Sequence, residues 1–300
     1  MSTPLAYGLG CPLWALADWE GGLYRAGSTS GDYLRQYASV FNAVEGNTTF
    51  YATPAANTVA RWMDQVPEHF RFCFKFPRVV THDARLRGCE APARAFIDRL
   101  RPLRGQMGPL MIQLPASFGP ASLKVLFDFL QGLPEDFSYA VELRQRRFFD
   151  DEILADEVDE QLQALGVERI VLDSRPMRSG DANHPDVLAA EHAKPNLPVR
   201  PLALTSTPIV RLIAHPDAAV TAPWLMHWAR IIRDWLNAGR RPMMFMHCPN
   251  NAHSPTFARL FHQALVAVCD EHCRDVGALP AWPGEEAVLG GASAGQLSLL

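Results

Sequence analysis

The chain repeats one unit: an apolar run of strand character, a polar or Pro/Gly break, then apolar residues at helical spacing. The strand-like runs are 5–14, 40–51, 70–77, 108–115, 137–144, 169–176, 208–216 and 242–249. Their starts lie about 30–40 residues apart, the length of a strand–helix unit. Helical periodicity falls at 55–66, where Val59, Trp62 and Met63 share a face, and at 91–103, 121–133, 152–166, 222–239 and 255–272. Ser122 and Thr256 stand where caps would serve, and Gly132, Gly166 and Gly239 where helices should stop. Strands alternating with helices predict a parallel sheet. Eight such units predict an α/β fold closed into a (β/α)8 TIM barrel, as one domain over 1–279.

Two segments break the repeat. The Pro- and Ala-rich stretch 177–207 is a long connection between the sixth and seventh strand runs, and such connections at a barrel mouth belong to the site or its lid. Residues 280–300 read as a flexible tail outside the fold.

A net charge of −4 argues against coating nucleic acid by bulk electrostatics, so a local basic patch would be required. Arg85/Arg87, Arg99/Arg101/Arg104 and Arg144/Arg146/Arg147 are candidates, although solvated helix faces explain such clusters more simply. No stretch approaches the roughly 20 apolar residues of a membrane span, and residues 1–14 lack a secretory pattern. The six cysteines form no Cys-x-x-Cys pair and read as reduced thiols of a cytoplasmic protein. Cys269, His272 and Cys273 are read as one helix face, not a metal clip.

Strand alternation places i and i+2 on one face. Phe72, Phe74 and Phe76 then face the helices, while Arg71, Cys73 and Lys75 face the barrel axis. The same reasoning groups Glu45 with Asn47, Met111 with Gln113, Glu142 with Arg144, Val171 with Asp173 and Arg175, Arg211 with Ile213 and His215, and Phe245 with His247. A barrel interior should be filled by branched apolar residues, and isolated buried charges are costly. Mutually satisfied internal ion pairs are one account. Polar groups gathered at one end of the strands fit a site better, with Trp14 and Trp19 as candidate mouth residues.

Several motifs in this frame, NTTFY (47–51), FKFPRVVTH (74–82), GPLMIQLPASF (108–118), YAVELR (139–144) and CPNN (248–251), resemble the YecE-like family, the domain-of-unknown-function-72 family. The resemblance covers roughly 5–272 and implies a TIM barrel, with no established activity. It implies family positions at Glu45, Asn47, Tyr51, Lys75, Gln113, Glu142, Arg144, Asp173 and Asn250. The last strand departs from the family's asparagine-rich ending, since this chain has MHCPNN.

Three reaction types fit the ring. In phosphoester chemistry on nucleic acid, Lys75, Arg144 and Arg211 would hold phosphate, with Asn47, Tyr51, Gln113, His215 and Asn250 as further substrate contacts. Glu45, Glu142, Asp173 and His247 would there be catalytic or would ligate a single Mg or Mn ion. Glycoside hydrolysis would use the pair Glu45 and Glu142, but the fourth and seventh strands carry Gln113 and Arg211 where familiar barrels carry their carboxylates. Metal-free acid–base chemistry on a small anionic metabolite would use Lys75 as base. A non-catalytic binder fits the same ring. No GxGxxG or Walker loop follows a strand, so no nucleotide cofactor is expected, and no GxSxG is present.

The chain ends Gln296, Leu297, Ser298, Leu299, Leu300. This QLSLL resembles the pentapeptide that docks bacterial replication and repair proteins on the DNA sliding clamp, with leucine at the usual phenylalanine position. The glutamine amide anchors such a peptide while Leu297, Leu299 and Leu300 would fill an apolar pocket. Clamp docking would favour DNA maintenance over metabolism.

Overall fold

The computed structural model describes residues 5–269 and 275–285. Strands and helices alternate, and every ladder pair is parallel. In order they are β1 Gly8–Gly10, α1 Tyr33–Ala38, β2 Ala43–Gly46, α2 Ala56–Gln65, β3 Arg71–Phe74, α3 Glu90–Leu100, β4 Leu110–Gln113, α4 Leu123–Gln131 and β5 Tyr139–Glu142. There follow α5 Arg147–Asp150, α6 Glu152–Ala164, β6 Glu168–Arg169, β7 Val171–Asp173, α7 Arg175–Arg178, α8 Pro185–Glu191, β8 Ile209–Ile213, α9 Ala218–Asn237, β9 Met243–His247 and α10 Ser254–Val268.

The strands form three ladders, β1-β9-β8-β7, β2-β3 and β4-β5-β6. Between ladders the backbone bonds are isolated: Glu45 N–H to Cys11 O at 3.0 Å, Gly108 N–H to Phe72 O and Phe76 N–H to Met111 O at 2.9 Å, and Ile170 N–H to Val141 O at 2.9 Å. The fold is therefore a mixed α/β arrangement of parallel ladders, and the ladder pairing does not run continuously through all strands. The sixth expected run is split at Ile170, because β6 pairs with β5 whereas β7 pairs with β8.

Side chains between the strands and the helices form the larger core, including Phe72, Phe74, Phe76 and Trp62. The rings of Trp62 and Phe74 stack at 5.1 Å, and Phe76 meets Phe96 at 5.2 Å, as the alternation of β3 requires. On α2, Val59 and Trp62 are buried, but Met63, one position further round, is 38% exposed. A second core lies on the inner side of the strands: Ala43, Cys73, Met111, Ala140, Ile170, Ile209, Met243 and Phe245. Fully burying such side chains contributes about 1.5–3 kcal/mol each for the larger ones. Gly10 lets β1 approach β2, since a Cβ there would stand 1.9 Å from Ala43 O.

The helix ends differ in part from expectation. Gly166 and Gly239 take positive φ after α6 and α9, as helix stops do. Ser122 precedes α4 without a side-chain cap hydrogen bond, and α10 begins at Ser254, two residues before Thr256. The side chains that cap among the described residues are Asp151 on α6, His184 on α8 and Asp217 on α9. Residues 280–285, assigned from sequence to the tail, pack on the fold: the Arg259 guanidinium lies 3.5 Å from the Trp282 ring centre and pairs with Glu285 at 2.9 Å. Among the described residues no helix is long and apolar enough to cross a membrane.

Candidate functional site

Above the inner apolar cluster, the next inward position of each of several strands is charged or polar. Glu45 follows Ala43 on β2, Lys75 follows Cys73 just past β3, Gln113 follows Met111 on β4, and Glu142 follows Ala140 on β5. Arg211 follows Ile209 on β8, and His247 follows Phe245 on β9. All six are buried.

They form one network. Arg211 donates through Nε and Nη2 to the two Glu45 oxygens, both at 2.7 Å, and through Nη1 to Glu142 Oε2. Glu45 also meets His247 Nε2 at 2.9 Å and Lys75 Nζ at 3.2 Å. Lys75 Nζ donates to Gln113 Oε1 at 2.8 Å, and Arg144 Nε donates to Glu142 Oε1 at 2.5 Å. Arg211 thereby turns each of its three nitrogens to a carboxylate, whereas the outer nitrogens of Arg144 and the Lys75 ammonium retain donor capacity.

The electrostatics follow from this packing. Burial alone would raise Glu45, but Arg211, Lys75 and His247 outweigh it and hold the carboxyl well below the usual range. Burial likewise opposes ionisation of Glu142, yet Arg144, Arg211 and Lys75 bring it down to about 2. Burial and the Arg211 charge lower Lys75 to about 8 despite both glutamates. Burial lowers His247 to about 3 even with Glu45 beside it, so its imidazole is neutral.

Other expected site residues lie elsewhere. Asp173 is buried on the outer side of β7, where Trp228 Nε1 donates to it at 2.9 Å and Arg175 pairs with it at 2.8 Å. The alternation expected there was one residue out of phase, since Ile170 is the inward residue of that run. Arg71, expected inward, donates to the carbonyls of Glu68 and Phe70 at the amino-terminal end and lines a cavity of about 430 Å³. Asn47 donates to Pro12 O at 2.8 Å, and its Oδ1 is buried without a partner among the described residues. Tyr51 is 81% exposed and touches only the edge of Phe50 among ring contacts. Asn250 ties the turn after β9 to α8 through Asp186 at 3.0 Å. His215 is buried, accepts from Asp217 N–H at 3.0 Å, and leaves Nε2 without a partner among the described residues. Trp14 packs edge-on against Trp62, and Trp19 is buried beside Tyr24 and Tyr37, so both serve packing. Gln296, Leu297, Leu299 and Leu300, with His272 and Cys273, lie outside the described residues.

Two residues near the network have no sequence pattern to announce them. Lys194, in the 177–207 connection, interacts electrostatically with Arg211, Glu45, Arg144 and Glu142; burial and Arg211 lower it to about 8. His82 is lowered by partial burial and by Arg144. Its ring lies 5.0 Å from Phe50, at the rim beside Tyr51.

The donor set does not suit a divalent metal. Asp173 faces away, Glu45 and Glu142 are engaged by cations, and among the described residues no three His, Cys, Asp or Glu side chains stand together as a metal-binding group.

Two solved structures share the fold. A DUF72 family protein from Enterococcus faecalis V583 aligns with a TM-score of 0.67 at 17% identity, over 88% of this chain and 97% of its own. A DUF72 family protein from Thermotoga maritima MSB8 aligns with a TM-score of 0.66 at 19% identity, over 87% and 99%. In sequence, the UPF0759 protein YecE of Escherichia coli K12 is 35% identical over 280 residues, 93% of this chain and 98% of that protein. The counterpart from strain O157:H7 is 34% identical over the same span. The family model described as "Protein of unknown function DUF72" matches residues 8–279, and the chain belongs to that family.

Proposed function

We propose that the strand-end network is a metal-independent site that binds a small anion and moves a proton on it, with Lys75 carrying the proton. The observation behind this reading is the charge balance: Lys75, Arg144 and Arg211 stand against Glu45 and Glu142, with His247 neutral. One positive charge is left over in a buried setting, and an anion would match it. A lysine near 8 is about one-tenth free amine at pH 7, far more than an ordinary lysine. The site is then a proton donor and acceptor held between an anion-binding arginine and two carboxylates that fix the cations in place.

The same reading takes the three ladders as arcs of one (β/α)8 barrel. Its support is the order of the strands, the isolated hydrogen bonds between neighbouring ladders, and an inner core drawn from all three. The network then sits at the carboxyl-terminal mouth, where barrel enzymes work.

Titration calorimetry in EDTA with inorganic phosphate and malonate tests binding. Proton exchange into a panel of carboxylated and phosphorylated metabolites in D2O, followed by NMR, tests the chemistry. Binding that survives EDTA, and exchange lost in Lys75→Met, are expected. Binding that requires Mg²⁺ or Mn²⁺ would overturn the proposal.

A second reading, hydrolysis or binding of nucleic-acid phosphoesters in DNA maintenance, is favoured by the clamp-like QLSLL terminus. Its phosphate would meet the same cations.

A further inference from the structure

The connection between β7 and β8 is pinned over the strand ends. Ser174 Oγ donates to Pro195 O at 2.8 Å, and Arg178 Nη2 donates to Lys194 O at 2.6 Å. Arg178 Nη1 also pairs with Glu191 at 3.0 Å, and Ala190 O accepts from the N–H groups of Ala193 and Lys194 at 3.0 and 3.1 Å. Lys194 is thus held by its backbone on both sides. Its side chain is half-buried, and among the described residues its ammonium has no hydrogen bond and no ion pair within 4.0 Å. Its charge is felt by Arg211, Glu45, Arg144 and Glu142, and in turn by His247 and Cys248. A half-buried cation whose nearest carboxylates, Glu45 and Glu142, are already paired with Arg211, Lys75 and Arg144 is unfavourable unless a ligand supplies an anion.

A second observation concerns the same end of the strands. His247 Nδ1 and His215 Nε2 are both buried without a partner among the described residues, on side chains 1% and 2% exposed. Buried ring nitrogens normally find a partner. Gly180, on the same connection, lies against the His215 ring, where an added Cβ would stand 2.7 Å from Nε2. Unpartnered polar groups therefore come both from the strands, at His247 and His215, and from the connection, at Lys194.

Counting Lys194, four cations (Lys75, Arg144, Arg211 and Lys194) face two carboxylates, an excess of two when both lysines are protonated. We propose that Lys194 is a ligand-contacting residue that caps the strand-end site over a doubly charged anionic group, shared between its ammonium and the free outer nitrogens of Arg144. The group is a compact dianion, a phosphate monoester or a dicarboxylate. The guanidinium offers a planar pair of donors and the ammonium a point charge. This rests on the anion-binding reading above and adds to it the charge of the ligand and the residue that discriminates for it.

The test is calorimetric titration of the full chain with inorganic phosphate at pH 8, malonate and acetate, in wild type, Lys194→Met, Lys194→Arg and Arg144→Gln. Wild type should bind phosphate or malonate at least about tenfold more tightly than acetate, and which of the two it prefers separates the phosphate source from the dicarboxylate source. Lys194→Met should abolish most of that preference, a loss of about tenfold or more for the dianion and little for acetate. Lys194→Arg should restore it in part, with the urea midpoint unchanged in both. A loss in Arg144→Gln with none in Lys194→Met overturns the role of Lys194 and leaves the anion site standing. Equal affinity for acetate overturns the dianion. No binding of any probe by wild type overturns the anion reading itself, and the cap with it.

Discussion

At the residue scale, the two buried acids Glu45 and Asp173 look alike in sequence and do different work. Glu45 gathers three cationic or imidazole partners inside the strands, whereas Asp173 anchors α9 through Trp228 and the start of α7 through Arg175. Removing Asp173 leaves the buried Trp228 Nε1–H without its acceptor, which costs about 1–3 kcal/mol, while the half-exposed Arg175 can turn to water. Asp173→Ala is therefore expected to lose about 2 kcal/mol in urea unfolding and leave phosphate or malonate affinity unchanged. A change in affinity at wild-type stability would return Asp173 to the site. His247 makes a different prediction. Its folded-state pKa of about 3 lies below the ordinary value, so the unfolded chain takes up a proton near pH 6.5 while the folded chain does not. Its contribution is complete above about pH 6.5 and is lost as pH falls toward 3. Between pH 6.5 and 5 the loss is about 2 kcal/mol. Urea midpoints at pH 7 and 5 should fall further in wild type than in His247→Gln, and equal falls would refute the assignment. Below about pH 4.5 the depressed Glu142 adds a second loss, extending to about pH 2.

At the element scale, the strands are short and the spaces between them tight. β1 passes β2 so closely that Gly10→Ala would drive its methyl into Ala43 O and against Tyr37 Oη, which donates to that carbonyl at 2.9 Å. Overpacking of this kind, against backbone with nowhere to move, should cost about 3 kcal/mol, read as a lowered denaturation midpoint. The strand runs were legible because each closes in a Pro, Gly or polar break. The inward faces of β2, β3, β4, β5, β8 and β9 were legible because a charge or amide lies two residues beyond a small or apolar side chain. The run 169–176 misled because Ile170, Val171 and Leu172 are all apolar, which erases the period-2 phase, and Asp173 was then set on the wrong face. Lys194 could not be found that way. It lies in an irregular segment, where no periodicity says which side chain turns inward; only the fold shows its carbonyl held by Arg178 and that of Pro195 by Ser174.

At the scale of the whole molecule, the root of the carboxyl-terminal tail is fixed. Arg259 on α10 clasps Trp282 and Glu285, and fifteen residues then remain to Leu300. Fully extended, these reach at most about 50 Å. If the QLSLL terminus is used, intact protein should bind a bacterial sliding clamp in the micromolar range or tighter, and protein truncated after Gly295 should not; surface plasmon resonance reads both. Equal behaviour of the two forms would remove DNA maintenance from consideration.

The inner apolar cluster has a kinetic consequence. Ala43, Cys73, Met111, Ala140, Ile170, Ile209, Met243 and Phe245 fill the space directly beneath Glu45 and Arg211. A reaction at this site would then have no passage through that floor, so on the barrel reading what arrives and what leaves would share the way past the strand ends. Product would have to depart before the next molecule could enter. It would therefore compete with substrate for the free protein, and turnover would slow as product accumulates, whatever the chemistry at Lys75.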